Sequence, residues 1–171
     1  MTTPTLSRCA WRAACIAAVV AFVLWPQRAE ARENIRTAFF AAYPAAVGSV
    51  LEEVSALSEV TRQAMWRGIA AARLGGRVTD ISHAVETHVR ASGDYGILED
   101  YVGHGIGSAM HQPPNVPNYG RPGRGPRLVE GLALAVEPMI TLGGKDTDVL
   151  EDDWTVVTSD GSWAAHHEHT F

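Results

Sequence analysis

Glu137 lies in the apolar stretch Leu132-Ala133-Leu134-Ala135-Val136-Glu137-Pro138-Met139-Ile140. Burying an ionised carboxylate without a partner costs several kcal/mol even after relaxation, so such a group is paired, hydrogen-bonded or bound to a metal. The alternative is that the strand ends at Val136 and Glu137 caps it in solvent, which Pro138 favours because proline suits strand ends. His104 stands among glycines in Gly103-His104-Gly105-Ile106-Gly107. Glycines at these positions admit another backbone or a ligand close to the chain, so His104 reads either as a ligand or as a structural ring. This run is not the dinucleotide fingerprint, because the G-x-G-x-x-G spacing is absent. The third feature is His166-His167-Glu168-His169-Thr170. Side chains alternate along a strand, so His166 and Glu168 would share one face and His167 and His169 the other, unless the run is simply solvated.

Taken together, His104, Glu137 and Glu168 occupy three separate strand-like segments. One histidine and two carboxylates form a hard ligand set suited to divalent Co, Mn, Fe or Zn. A cation held by such a set lowers the pKa of a water and favours its attack on a carbonyl. A second histidine pair, in His83-Ala84-Val85-Glu86-Thr87-His88, carries no such reading. A zinc-protease helix needs its histidines at i and i+4, whereas i and i+5 turns the second ring by about 140°.

These residues need elements to hold them. Leu57, Val60, Thr61, Ala64, Gly68, Ile69 and Ala72 fall at helical spacing, and Gly75-Gly76 ends the pattern. Thr79 or Asp80 is placed to cap a second helix, with Ile81, Ala84, Val85, His88 and Val89 as one stripe and Gly93 as its stop. Beyond Asp100 the pattern changes to strands and turns. Tyr101 to Gly107 is glycine-interrupted, and His111 to Pro126 reads as a long Pro/Gly/Asn loop. Leu132 to Ile140, Trp154 to Thr158 and His166 to Phe171 read as strands. Two helices followed by a run of strands imply an α+β fold, an antiparallel sheet with helices on one face.

The chain of 171 residues is 46 % apolar and 19 % charged, which suits a folded domain and argues against disorder. The net charge of −5 leaves no basic footprint, so nucleic acid is not expected as a partner. Cys9 and Cys15 both lie near the start and build no disulfide framework. Residues 1–50 form an atypical Ala/Arg-rich apolar segment, distinct from the domain expected over 51–171. Arg8 and Arg12 precede the apolar run Ala13 to Trp25, and Ala29-Glu30-Ala31 follows. That order is signal-peptide-like, though a buried Ala-rich helix or strand reads the same. The run is short for a membrane span, which needs roughly 20 residues. Nothing in the sequence sets the oligomeric state.

The motifs in order, Tyr101 to Gly107, Met110-His111-Gln112-Pro113, Val136-Glu137-Pro138-Met139, Trp154-Thr155-Val156 and Glu168-His169-Thr170, resemble type I methionine aminopeptidase from about Val54 to Phe171. The resemblance implies a partial pita-bread fold, in which helices cover a curved antiparallel sheet holding a dinuclear metal site. It implies His104, Glu137 and Glu168 as metal ligands, with Glu168 bridging two ions and Glu137 also assisting the attacking water. It implies that His111 contacts the scissile amide and that Trp154 lies beside the methionine pocket. The implied activity is removal of the initiator methionine from nascent chains or N-terminal Met peptides in the cytoplasm, and the signal-like start leaves a secreted or tethered form open.

The family also uses two aspartates from an upstream strand hairpin. Residues 1–50 contain no aspartate, and with Thr37-Ala38-Phe39-Phe40 taken as the end of that hairpin, Val23 and Asn34 stand at the two positions. Valine offers no ligand atom, and an amide is a neutral donor that does not bridge two cations as a carboxylate does. At most one ion is therefore expected, bound weakly. The segment carrying a further substrate-contacting histidine and the strand after Phe171 are likewise expected to be lacking. Either the first fifty residues replace a lost half, or the chain is a diverged member with one weak site. An inactive pita-bread module that binds peptides or proteins is the alternative function.

Overall fold

The computed structural model describes residues 51–171, all within one compact unit. The signal-like run, Val23 and Asn34 lie outside the described residues. Helix α1 spans Glu52–Ala71 and buries Leu57, Thr61, Ala64 and Gly68 of the predicted stripe together with Val54 and Met65, while Val60 and Ile69 are half-buried and Ala72 lies just past its end. At Ala72 the backbone turns extended, ahead of the glycine pair. Helix α2 spans Val78–Ser92 and buries Val78, Ile81, Ser82, Val85 and Val89, with Gly93 beyond its end.

The start of α2 differs from expectation. Arg77 is its N-cap residue, so Thr79 and Asp80 belong to the first turn. Both bind the loop that follows β3 instead. The Asp80 carboxylate accepts from the Arg77 N–H at 2.8 Å and from the Gly123 N–H at 2.7 Å. These bonds hold its pKa below the ordinary value. Thr79 Oγ1 donates to the Arg124 carbonyl and accepts from the Arg124 N–H. The negative Asp80 also suits the positive end of the helix dipole.

The strands are β1 (Gly96–Ile97), β2 (Gly103–Ile106), β3 (Gln112–Val116), β4 (Ala133–Val136), β5 (Met139–Thr141), β6 (Thr147–Val149), β7 (Val156–Thr158), β8 (Ala164–His166) and β9 (His169–Thr170). They form antiparallel sheets in the orders β3-β2-β4-β9, β1-β5-β8 and β6-β7. Helix α1 packs on α2, β4, β5 and β8, and α2 on β3. Leu57, Met65, Ile81, Val85, Ile97, Leu134, Val136 and Ile140 lie in the buried core between them.

Three strand expectations need correction. The Pro-rich stretch contains a real strand, β3, which Pro113 and Pro114 can join because it is a sheet edge, where a missing N–H leaves no ladder bond broken. Leu132 to Ile140 is two strands in two sheets. His166 to Phe171 breaks in the same way, β8 lying in one sheet and β9 in the other. The breaks face each other: Val136 pairs with His169 and Met139 with His166, and between those pairs the regular ladder lapses. Pro138 has no N–H to give there, and its carbonyl accepts from the His167 N–H at 3.4 Å.

Candidate metal centre

Glu137 and Glu168 both sit at this step between sheets, where the interrupted ladder frees their side chains from regular strand packing. His104 comes from β2, which pairs with β4. Its flanking glycines admit neighbouring backbone rather than a ligand. A Cβ at Gly103 would run into the Ala135 carbonyl, and one at Gly105 would lie 2.5 Å from the Pro113 carbonyl. β2 can therefore lie tight between β3 and β4 and carry the imidazole inward.

The three side chains converge. His104, Glu137 and Glu168 each offer a donor atom, and these atoms lie within 4.8 Å of one another. No other trio of His, Cys, Asp or Glu among the described residues does so. His104 is 7 % exposed and Glu137 9 % exposed. His104 Nδ1 lies 3.0 Å from the Gly105 carbonyl, an oxygen that only accepts, so Nδ1 carries the proton. In the neutral ring that leaves a lone pair on Nε2, which faces Glu137 Oε1 at 3.4 Å. A neutral imidazole and a carboxylate facing each other in this way are suited to a cation, and a ring fixed by its second nitrogen is the usual form of a ligating histidine. The donor set present therefore fits a divalent metal.

The alternation expected for the histidine run survives the break between β8 and β9. His167 Nε2 meets Ser58 Oγ at 3.1 Å and the His169 ring packs on Trp66 at 4.8 Å, both on α1. Burial, with the nearby His166 and Arg62, lowers the His167 pKa to about 4. His166 turns the other way, its Nε2 3.5 Å from Glu137 Oε2. The sequence gives His166 no role of its own, although the shared face with Glu168 was the available signal. His111, just before β3, is exposed, its ring centroid 4.2 Å from that of His104. Trp154 sits in the β6–β7 connection and is 75 % exposed, so it lines no enclosed pocket among the described residues.

Residues 36–171 match the metallopeptidase family M24. The chain is 52 % identical over 125 residues to a methionine aminopeptidase of Clostridium acetobutylicum, covering 73 % of this chain and 50 % of that protein. It is 53 % identical over 129 residues to methionine aminopeptidase 1 of Mycobacterium tuberculosis, covering 72 % of this chain and 48 % of that one. The crystal structure of methionine aminopeptidase from Thermotoga maritima superposes with a TM-score of 0.70 at 44 % identity, over 72 % of this chain and 49 % of that one. The chain thus spans about half the length of the relatives it matches. With its antiparallel sheets under paired helices, its inward His104 and its two carboxylates at the sheet step, the chain belongs to metallopeptidase family M24 and has the α+β, pita-bread architecture of the methionine aminopeptidases.

Proposed function

We propose that this chain is a methionine aminopeptidase-like metallopeptidase whose centre holds at most one divalent cation, Co, Mn, Fe or Zn, on His104, Glu137 and Glu168. The convergence of those three donors within 4.8 Å carries the reading. A cation bound there would act as a Lewis acid, polarising a peptide carbonyl and lowering the pKa of a water. Glu137 is the base: its carboxylate takes the proton from the attacking water and returns it to the leaving amine as the C–N bond breaks. By the family resemblance His111, exposed with its ring 4.2 Å from that of His104, would hydrogen-bond the scissile amide. Trp154 is assigned to the methionine side chain by the family resemblance alone.

The substrates on this reading are N-terminal Met peptides and nascent chains, which places the protein in the cytoplasm. Among the described residues no helix is long and apolar enough to cross a membrane. The lack of aspartate in residues 1–50 supports both the limit of one ion and a low rate. It also favours the second reading, an inactive module that binds peptides. Metal content and Met-Gly-Met-Met hydrolysis measured on one purified sample decide between them. The expected result is no more than one ion per chain with slow cleavage. Two ions and turnover on the order of 1–10³ s⁻¹ would overturn the one-ion reading, and metal without any cleavage would favour the module.

A further inference from the structure

Glu137 lies between two imidazoles. Oε1 faces His104 Nε2 at 3.4 Å and Oε2 faces His166 Nε2 at 3.5 Å. The two rings differ in what they can give. His104 Nδ1 donates to the Gly105 carbonyl, and the neutral ring presents a lone pair at Nε2. His166 Nε2 is buried and has no hydrogen-bond partner. A buried polar nitrogen left unsatisfied is destabilising. A proton on that nitrogen, aimed at Oε2, removes the cost once the pair closes by a few tenths of an ångström.

His166 is not one of the side chains whose donor atoms gather within 4.8 Å, so its reach is to the carboxylate rather than to a shared ion. Its backbone is well placed for that task. His166 pairs with Met139 in the β5–β8 ladder, immediately past the Glu137-Pro138 step. On the other side of the step, Asn118 Nδ2 donates to the Glu137 carbonyl at 3.3 Å and holds the backbone.

Resting on the reading of this site as a metal centre, we propose that His166 is a positioning residue: its Nε2–H holds Glu137 Oε2 and turns Oε1 toward His104 and Glu168. Hydrogen bonds of this kind from outside the ligand set orient ligating carboxylates and tune affinity for the ion.

His166→Leu and His166→Gln test it, because glutamine keeps an N–H donor at similar reach and leucine does not. With Co²⁺ as the probe in calorimetry, His166→Leu should bind about 10- to 100-fold more weakly and His166→Gln within about threefold of the native protein. The thermal unfolding temperature in chelator should fall less in His166→Leu than it does with Co²⁺ bound, and should be unchanged in His166→Gln. Native affinity in His166→Leu overturns the proposal, as does equal weakening in His166→Gln or a matching loss of metal-free stability. A second readout needs no metal. In the chelated native protein, proton–nitrogen correlation spectra should show the Nε2–H form of His166, with a signal that shifts in Glu137→Gln. The Nδ1–H form overturns the proposal. Should the native protein take up no Co²⁺, the metal-centre reading fails while these spectra still decide the His166–Glu137 contact.

Discussion

Glu137 draws its position from long-range partners: His104 and His166 on its oxygens and Asn118 on its carbonyl. Its need of partners was legible in the sequence because a carboxylate amid Leu, Ala, Val and Ile demands them, although Pro138 equally allowed a solvated strand end, which its burial overturns. The same holds for His104, where the glycines flagged close approach, although the approaching groups are the Ala135 and Pro113 carbonyls. The separate role of His166 was not legible. Alternation puts it on the Glu168 face but does not say which residue stands opposite, since the β5–β8 register is non-local. Glu137→Gln follows from this geometry: an amide keeps the shape and removes the charge that a cation needs. Co²⁺ affinity should fall by more than the roughly 10- to 100-fold typical of outer-shell losses, as measured by calorimetry. Native protein should also gain about 2.7 kcal/mol of stability at a Co²⁺ concentration of 100 Kd, and the variant far less. Equal stabilisation of both proteins would remove Glu137 from the ligand set.

At the scale of elements, periodicity reported the helices well and the strands poorly. Each helix carries its own signal, a stripe repeating every 3.6 residues, and the middle of each stripe is buried, Leu57, Thr61, Ala64 and Gly68 on α1 and Ile81, Val85 and Val89 on α2. A strand's limits depend on its partners. β4 and β5 share one continuous apolar run, and only the missing N–H of Pro138 marks the step between sheets that makes room for Glu137. β3 was hidden because prolines read as loop unless the strand is known to be an edge. The cap of α2 was displaced because Thr79 and Asp80 bond the distant Arg124 and Gly123, which no local pattern reveals. The α1–α2 contact is tight at Gly68, where a Cβ would come 2.7 Å from Val85 Cγ2 and 3.2 Å from Ile81 Cγ2. Both neighbours are branched and fully buried, so they yield little. Gly68→Val should therefore cost about 1–3 kcal/mol in urea denaturation, despite the loss of a helix-weakening glycine. A neutral result would mean that the two helices can separate freely.

For the molecule as a whole, burial of imidazoles sets how stability responds to acid. Burial, with the charge of Arg67 nearby, pushes the His88 ring on α2 below its ordinary value of 6.5, and its Nε2 is a buried atom without a hydrogen-bond partner. His167 is pushed the same way, to about 4. Both rings are released to water on unfolding and then take up a proton near pH 6.5, while the folded chain resists protonation. The unfolded state thus binds more protons below that pH, so stability rises with pH and is lost as pH falls from about 6.5 toward the folded values. The two His167 values, 6.5 and about 4, bound its share at about 3 kcal/mol. Glu59 and Asp160, both held at about 2 by hydrogen bonds, also favour folding at higher pH. Their contribution is lost as pH falls from the ordinary carboxylate values of 4.5 and 3.8 toward about 2, so it hardly enters a comparison of about pH 7.5 with about pH 5.5. In chelator, denaturation at about pH 5.5 should show a less stable protein than at about pH 7.5, and His88→Leu should shrink that difference by removing one of the two rings. Equal stability at both pH values, or an undiminished difference in His88→Leu, would show that the α2 ring is solvated and titrates alike in the folded and unfolded chain.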